Sequence, residues 1–302
     1  MRESQMKKII AIAVASAFAA PAMAADVSLS GYSEWSHVEK SGTATTVTNA
    51  QMDTSFTIGF TTETANGLAV SGDINMDADG THDGGNSLTL AGSFGKVTLG
   101  DDSGAMDSID GATDPFKVVD HDATTGTTQN FSDADVTWTL PTLAEGLTLK
   151  LAYSPKDTES GAHASDEGTV SDQFGVMAGF SVAGLGVKVA SQEVGTDKDQ
   201  GVTLTYGIEG LGLAYESHQN ETSAGVKVNY RAYGATYSMG DITFAYSNSS
   251  EKTSGGSDIA DTTAFGIHYD LGGGVLAFAE SASEDIISTK PDTTAVGIAV
   301  TF

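Results

Sequence analysis

The chain has no cysteine, so neither disulfide staples nor thiolate metal sites contribute to it. Positive charge is scarce: 14 Lys and Arg stand against 40 Asp and Glu, a formal net charge of −26. That balance excludes non-specific nucleic-acid binding, which needs basic surface to displace counterions from phosphates. No run of ~18 apolar residues occurs, which excludes a membrane-crossing helix. Helical periodicity of useful length is also missing after residue 25, although a soluble enzyme of 302 residues would normally show it. The six His (His37, His82, His121, His163, His218, His268) fall at no metal-ligand spacing. There is no G-x-S-x-G elbow and no phosphate-binding loop.

The N-terminus carries a targeting pattern. Lys7 and Lys8 form a positive head, Ile9 to Ala20 a short apolar run, and Ala22-Met23-Ala24 a small-residue cleavage site after Pro21. This reads as a secretory signal peptide over residues 1–24, because the run is too short to span a bilayer. Cleavage removes Arg2, Lys7, Lys8 and Glu3, which takes the net charge from −26 to −28. An exported chain without a membrane helix is either a soluble periplasmic protein or an outer-membrane barrel.

What fills the rest is period-2 alternation. In Asn86–Asp102, Leu88, Leu90, Gly92 and Phe94 share one parity, against Ser87, Thr89, Ala91 and Ser93. Gly95-Lys96 turns the chain, and Val97 and Leu99 resume the apolar parity opposite Lys96, Thr98, Gly100 and Asp102. The same half-apolar strand recurs from Asp26 (Val27, Leu29, Gly31 against Ser28, Ser30, Tyr32, Glu34) to Thr293–Phe302 (Val296, Ile298, Val300, Phe302). Sixteen such runs are predicted. Short Gly-bearing turns, such as Ala65-Asn66-Gly67, Ala183-Gly184 and Gly272-Gly273-Gly274, alternate with generally longer polar loops at the other eight junctions. This is the pattern of a transmembrane antiparallel barrel, all-β, with one face to hydrocarbon and one to water, closed because no backbone group can stay unpaired in lipid. A secreted β-sandwich shares the short strands but not the alternation of connection lengths, and sixteen strands would make two domains with a linker that is not seen. The domain expected is therefore one barrel over residues 25–302. Within it, residues 103–134 form a connection of about thirty residues, a length that is usually functional.

The hairpin LTLAGSFGKVTLGD resembles the one that precedes the constriction loop in general diffusion porins of Gram-negative outer membranes. That resemblance implies a homotrimer in the outer membrane, with 103–134 folded inward to narrow the pore. It implies that Asp107, Asp110, Asp114, Asp120 and Asp122 line the constriction. The inward-parity bases Lys96, Lys150, Lys188, Lys227 and Arg231 would form the pore wall facing them. The family often carries Arg after the Leu-Gly of this strand, where this chain has Asp101; with so thinly basic a wall, cation preference is expected. The implied function is passive diffusion of ions and small hydrophilic solutes, with no enzyme activity, no cofactor and no nucleic-acid partner. Phe302 resembles the terminal aromatic read by the barrel-assembly machinery.

Other patterns carry smaller expectations. Tyr153, Tyr206, Tyr215, Tyr230, Phe244, Tyr246, Phe265 and Tyr269 sit on the apolar parity and suit interfacial girdles. Val226, Val228 and Tyr230 read as the lipid parity of strand twelve, whose phase slips near Ala232–Gly234 and suggests a bulge or a shorter strand. Asn75-Met-Asp77-Ala-Asp79-Gly80 imitates the start of a calcium loop but has Asn86 at position twelve, so it fails as an EF-hand and leaves only a loose Ca²⁺ site among external acids. A substrate-specific channel would need a ladder of lumen aromatics, and only Tyr32 and Tyr233 are candidates. A rim-site hydrolase rests on His268 beside Asp270, and a surface adhesin on the barrel alone.

Overall fold

The computed structural model describes residues 25–42, 46–77, 82–119, 134–155, 172–286 and 289–302, with backbone only at 82–85 and 101. Sixteen strands follow in order: β1 Asp26–Ser41, β2 Val47–Glu63, β3 Ala69–Asp77, β4 His82–Gly92, β5 Gly95–Asp102, β6 Ala134–Thr139, β7 Leu147–Ser154 and β8 Gln173–Val182. The second half comprises β9 Leu185–Val194, β10 Asp197–Ile208, β11 Leu211–Glu221, β12 Lys227–Met239, β13 Ile242–Thr253, β14 Asp258–Gly272, β15 Val275–Ile286 and β16 Asp292–Thr301. Each strand pairs antiparallel with its neighbours in sequence, and β16 returns to β1 to close the barrel. The seam runs from Ser41↔Asp292 to Tyr32↔Thr301. The backbone of Phe302 extends it, exchanging hydrogen bonds with Gly31 at 2.8 and 3.0 Å. Closure leaves no edge, which hydrocarbon demands because each unpaired backbone group there costs several kcal/mol.

The outward face explains the alternation. On β10, Val202, Leu204, Tyr206 and Ile208 point out; on β14, Phe265, Ile267, Tyr269 and Leu271 do. Leu29, Phe265 and Ile267 are 66, 58 and 51 % exposed, values a water-facing surface would not carry in a continuous band. Aromatics gather towards the two borders of that band. Tyr215 and Tyr233 stack at 5.1 Å on the loop side, as do Tyr246 and Phe265. Tyr206, Tyr237, Phe244 and Tyr269 sit towards the turn side, and Trp138 Nε1 donates to the Phe94 carbonyl at 2.9 Å. These are the interfacial belts expected of amphipathic rings.

Above the band the outward face turns polar at one level: Ser191, Gln200, Ser217, Arg231, Asn248 and Thr263. This level corrects the reading of strand twelve. β12 pairs without interruption from Val228 to Met239, so no bulge lies at Ala232–Gly234. Tyr230 pairs with His218 and faces the lumen, 2 % exposed, while Tyr233 faces out. The phase slip is the membrane border. Below it the lipid side is apolar; above it the outside is aqueous, and the apolar parity lies inside, where Val228 packs with Ile259 and Ala260. The same border hid the β9–β10 connection. Both faces are polar there, so a longer loop was expected, whereas the strands continue to a hairpin with only Gly195-Thr196 between them.

Candidate functional site

The loop after β5 enters the barrel and runs along its inner wall. Lys150 Nζ donates to the Ser103 carbonyl and, at 3.2 Å, to Ser108 Oγ. Lys188 Nζ donates to the Ser108 carbonyl at 2.9 Å. A single 3₁₀ turn, Asp107–Ile109, follows, and Thr203 Oγ1 on β10 donates to the Ile109 carbonyl. Glu216 on β11 then accepts the Thr113 N–H at 3.1 Å and the Thr113 hydroxyl at 3.2 Å. Finally Glu280 on β15 accepts three backbone N–H groups, from Lys117 at 2.7 Å, Val118 at 2.9 Å and Val119 at 3.2 Å, while His268 Nε2 lies 2.9 Å from its Oε1. A carboxylate that takes charge-assisted bonds from successive amides is a strong local clamp.

Apolar contacts complete the docking. Ala105, Met106 and Ile109 bury against Ala134, Ala152, Met177 and Ala190. Phe116 and Val119 bury against Ala245, Ala264, Phe278, Ala282, Ala295 and Ala299. Wall glycines, Gly175, Gly201, Gly234 and Gly266, permit the approach. A Cβ on Gly201 would stand 2.7 Å from Ile109 Cδ1, and one on Gly234 would stand 2.9 Å from Thr113 Cα. Beneath the loop, towards the turn rim, lies a cavity of about 600 Å³ lined by Ser108, Thr148, Lys150, Lys188, Thr203 and Thr205.

Asp107, Asp110 and Asp114 therefore lie inside the barrel on the inward loop, with Asp114 Oδ1 accepting the Phe116 N–H at 3.0 Å. Asp120 and Asp122 fall outside the described residues. Lys96 is on the lumen face near the turn rim, paired with Thr139. Lys150 and Lys188 are also on the lumen face, but they are tied to the loop rather than facing it across the pore, and Lys150 also pairs with Asp102 at 3.3 Å. Lys227 and Arg231 are a correction: they pair with Glu221 and Ser217 on the outward parity of β11 and leave the pore wall altogether. In the sequence they stand opposite the apolar Val228 and Tyr230, whose side is reversed above the membrane border. Among the described residues no arginine lines the lumen, Arg231 being the one they contain.

The opposite wall is acidic and hydroxylated. Glu34, Asp53, Asp73 and Asp77 share the lumen parity of β1–β3 with Ser55, Thr57 and Ser71. Tyr32 Oη donates to Glu34, and Ser87 Oγ to Asp73. Asn75 and Asp77, proposed for an external Ca²⁺ site, belong to this inner wall: Asn75 Oδ1 accepts the Thr57 hydroxyl at 2.5 Å, and Asp79 lies outside the described residues. The His268–Asp270 pair does not form. His268 meets Glu280, while Asp270 Oδ1 accepts the Gly272 N–H at 2.8 Å in the turn. No aromatic ladder lines an open lumen among the described residues; Tyr230 and Phe278 face inward but are 2 and 5 % exposed.

Sequence reasoning missed Glu216 and Glu280, which hold the loop. A signal was present. Lumen positions on β2 and β3 are mainly Ser, Thr, Asp and Asn, whereas those on β7–β16 carry Ala152, Ala190, Ala264, Ala282 and Ala299. Small apolar residues facing water mark a wall that something covers.

The sequence model of one family, described as Gram-negative porin, matches residues 11–285. No curated protein matches the chain in sequence. Solved structures share the fold at low identity. An anion-selective porin from Comamonas acidovorans is 15 % identical with a TM-score of 0.72, covering 92 % of this chain and 100 % of its own. Salmonella typhi OmpF, solved with daunomycin, is 19 % identical at 0.72, covering 91 % and 97 %. A loop-deleted OmpT of Vibrio cholerae is 15 % identical at 0.71, covering 93 % and 100 %.

Proposed function

The chain belongs to the Gram-negative porin family, a channel of the bacterial outer membrane, and from that premise we propose a passive diffusion pore for ions and small hydrophilic solutes that prefers cations. The observation that carries the preference is the charge of the lumen at the level of the loop. Asp107, Asp110 and Asp114 stand on the loop, Asp53 and Asp73 on the uncovered wall, and Glu34, buried, between the two. Of the lysines at that level, Lys150 and Lys188 spend their donors on the loop backbone, and Lys117 on the loop is a single exposed base beside three acids. Rings of carboxylates attract cations and repel anions at a narrowing. The fold does not decide this, since a porin of the same architecture from Comamonas acidovorans is anion-selective; the side chains do.

The same reading includes three copies of the chain per channel unit, an export signal over residues 1–24, and recognition of the Phe302 strand by the barrel-assembly machinery. The expected constriction is the loop over 103–134, of which Asp120 and Asp122 form a further part of the acidic set. Single-channel recording of the purified protein in a planar bilayer under a salt gradient tests it. Stepwise triplet conductance with a cation-selective reversal potential supports the reading. Folded protein that does not conduct sinks it, and an anion-selective potential sinks the acidic constriction.

A further inference from the structure

Three potential metal ligands meet where the loop crosses β11. One ligand atom each from Asp110, Glu216 and His218 lies within 4.8 Å of the others. The spacing in sequence concealed this set: Glu216 and His218 are two residues apart on the lumen parity of one strand, and the third ligand arrives from a loop far upstream. Each protein group is already oriented. Glu216 is fully buried and held by the N–H and hydroxyl of Thr113. His218, 3 % exposed, packs its ring on Tyr230 with centroids 5.5 Å apart. Asp110 is half-buried on the lumen side and opens the cluster to the pore.

Charge makes the arrangement informative. The half-buried Asp110 brings a second carboxylate to the buried Glu216, and among the described residues no lysine or arginine forms an ion pair with Glu216. A carboxyl taken out of water is held by a proton, by hydrogen bonds or by a positive counter-charge. A divalent cation supplies it, and its own charge is then the largest in the site. The donor set narrows the ion. Calcium and magnesium take oxygen ligands, six or more, whereas one imidazole with two carboxylates suits zinc and similar first-row ions. Three protein ligands with one position left to pore water is a common zinc coordination, at bond lengths of about 2.0–2.2 Å.

We propose that Asp110, Glu216 and His218 bind one divalent transition-metal ion of the zinc type, which fastens the inward loop to β11 and neutralises two acids at the narrowing. The proposal rests on the reading of this loop as the constriction only for its effect on ions, not for binding itself. Loading the site ties residue 110 to the wall and removes negative charge from the pore, so metal lowers the cation preference reversibly.

The test uses folded protein in detergent, stripped with a chelator and titrated with Zn²⁺ by calorimetry, with Mg²⁺ and Ca²⁺ in parallel. One Zn²⁺ per chain is expected, with affinity at least tenfold weaker in Asp110→Asn and in His218→Gln, and no comparable uptake of Mg²⁺ or Ca²⁺. Asp110→Asn changes only the loop, so barrel folding is preserved and is verified by heat-modified gel mobility. Substitution by Co²⁺ adds a visible absorption band that shifts in His218→Gln only if the imidazole is a ligand. Absence of stoichiometric Zn²⁺ uptake, or uptake equal in both variants, overturns the proposal. Zn²⁺ that binds at the site without changing the reversal potential upholds the metal site and overturns the constriction reading. A cation preference that falls in Asp110→Asn although Zn²⁺ never binds does the opposite.

Discussion

The two halves of the lumen wall are built on opposite rules. On β2 and β3 the inner face is mainly Ser, Thr, Asp and Asn and stays partly exposed, whereas on β1 Tyr32 and Val38 already pack against the Phe116 cluster of the loop. From β7 to β16 it is interrupted by Ala, Gly, Met and Phe, and it meets the loop. A barrel interior is thus not one environment. Where a segment folds back into it, the wall acquires a small hydrophobic core of its own, with alanines for space and buried carboxylates as anchors. The difference teaches that lumen polarity cannot be read from parity alone; it depends on what the lumen contains.

Substitutions that unfasten the covered wall should have the largest effect. Glu280→Gln turns one acceptor oxygen into a donor that faces the N–H groups of residues 117–119. Losing such charge-assisted bonds costs about 1.5–3 kcal/mol each. Hydrogen exchange should lose protection over 103–119 while the strands keep theirs, and channel noise should rise. Asp73→Asn on the uncovered wall should leave both unchanged. Gly201→Leu comes next. Its side chain would enter space held by Ile109, and overpacking of this kind costs about 1–3 kcal/mol. Urea unfolding in micelles should show that loss, whereas Ser71→Leu across the lumen should be close to neutral.

The acids of the two walls give a smaller and more informative contrast. Asp107→Asn with Asp114→Asn on the loop should reduce the cation-to-anion permeability ratio several-fold. Asp53→Asn with Asp73→Asn on the far wall should reduce it in the same direction. Equal shifts, read as reversal potentials, would mean that both walls face one aqueous path. The smallest effect belongs to Lys227→Ala and Arg231→Ala. Both residues point out above the apolar band, so conductance and selectivity should match the unmodified channel. A change in either would return these residues to the pore.

Much of this protein is legible in its amino acids. In lipid the outward face must be apolar and the backbone must pair, so a two-residue rhythm with turns of alternating length leaves a closed barrel as the consistent outcome. The hairpin of residues 86–102 carries that rhythm cleanly, but its turn falls at Ser93-Phe94 rather than at Gly95-Lys96, and the register Leu88↔Leu99 and Leu90↔Val97 is set by that shift. The rhythm loses meaning above the membrane border, where both faces meet water; that is why Tyr230, Lys227 and Arg231 were placed on the wrong side and the β9–β10 hairpin read as a loop. The path of the loop was beyond reach for another reason. Its contacts with Glu216, Glu280 and Gly234 join residues more than a hundred positions apart, and no local pattern encodes such a meeting. Solvent preference, a local property of each strand, determined the barrel; the docking of one loop along the inner wall, a matter of shape and buried charge in three dimensions, was decided only by the tertiary structure.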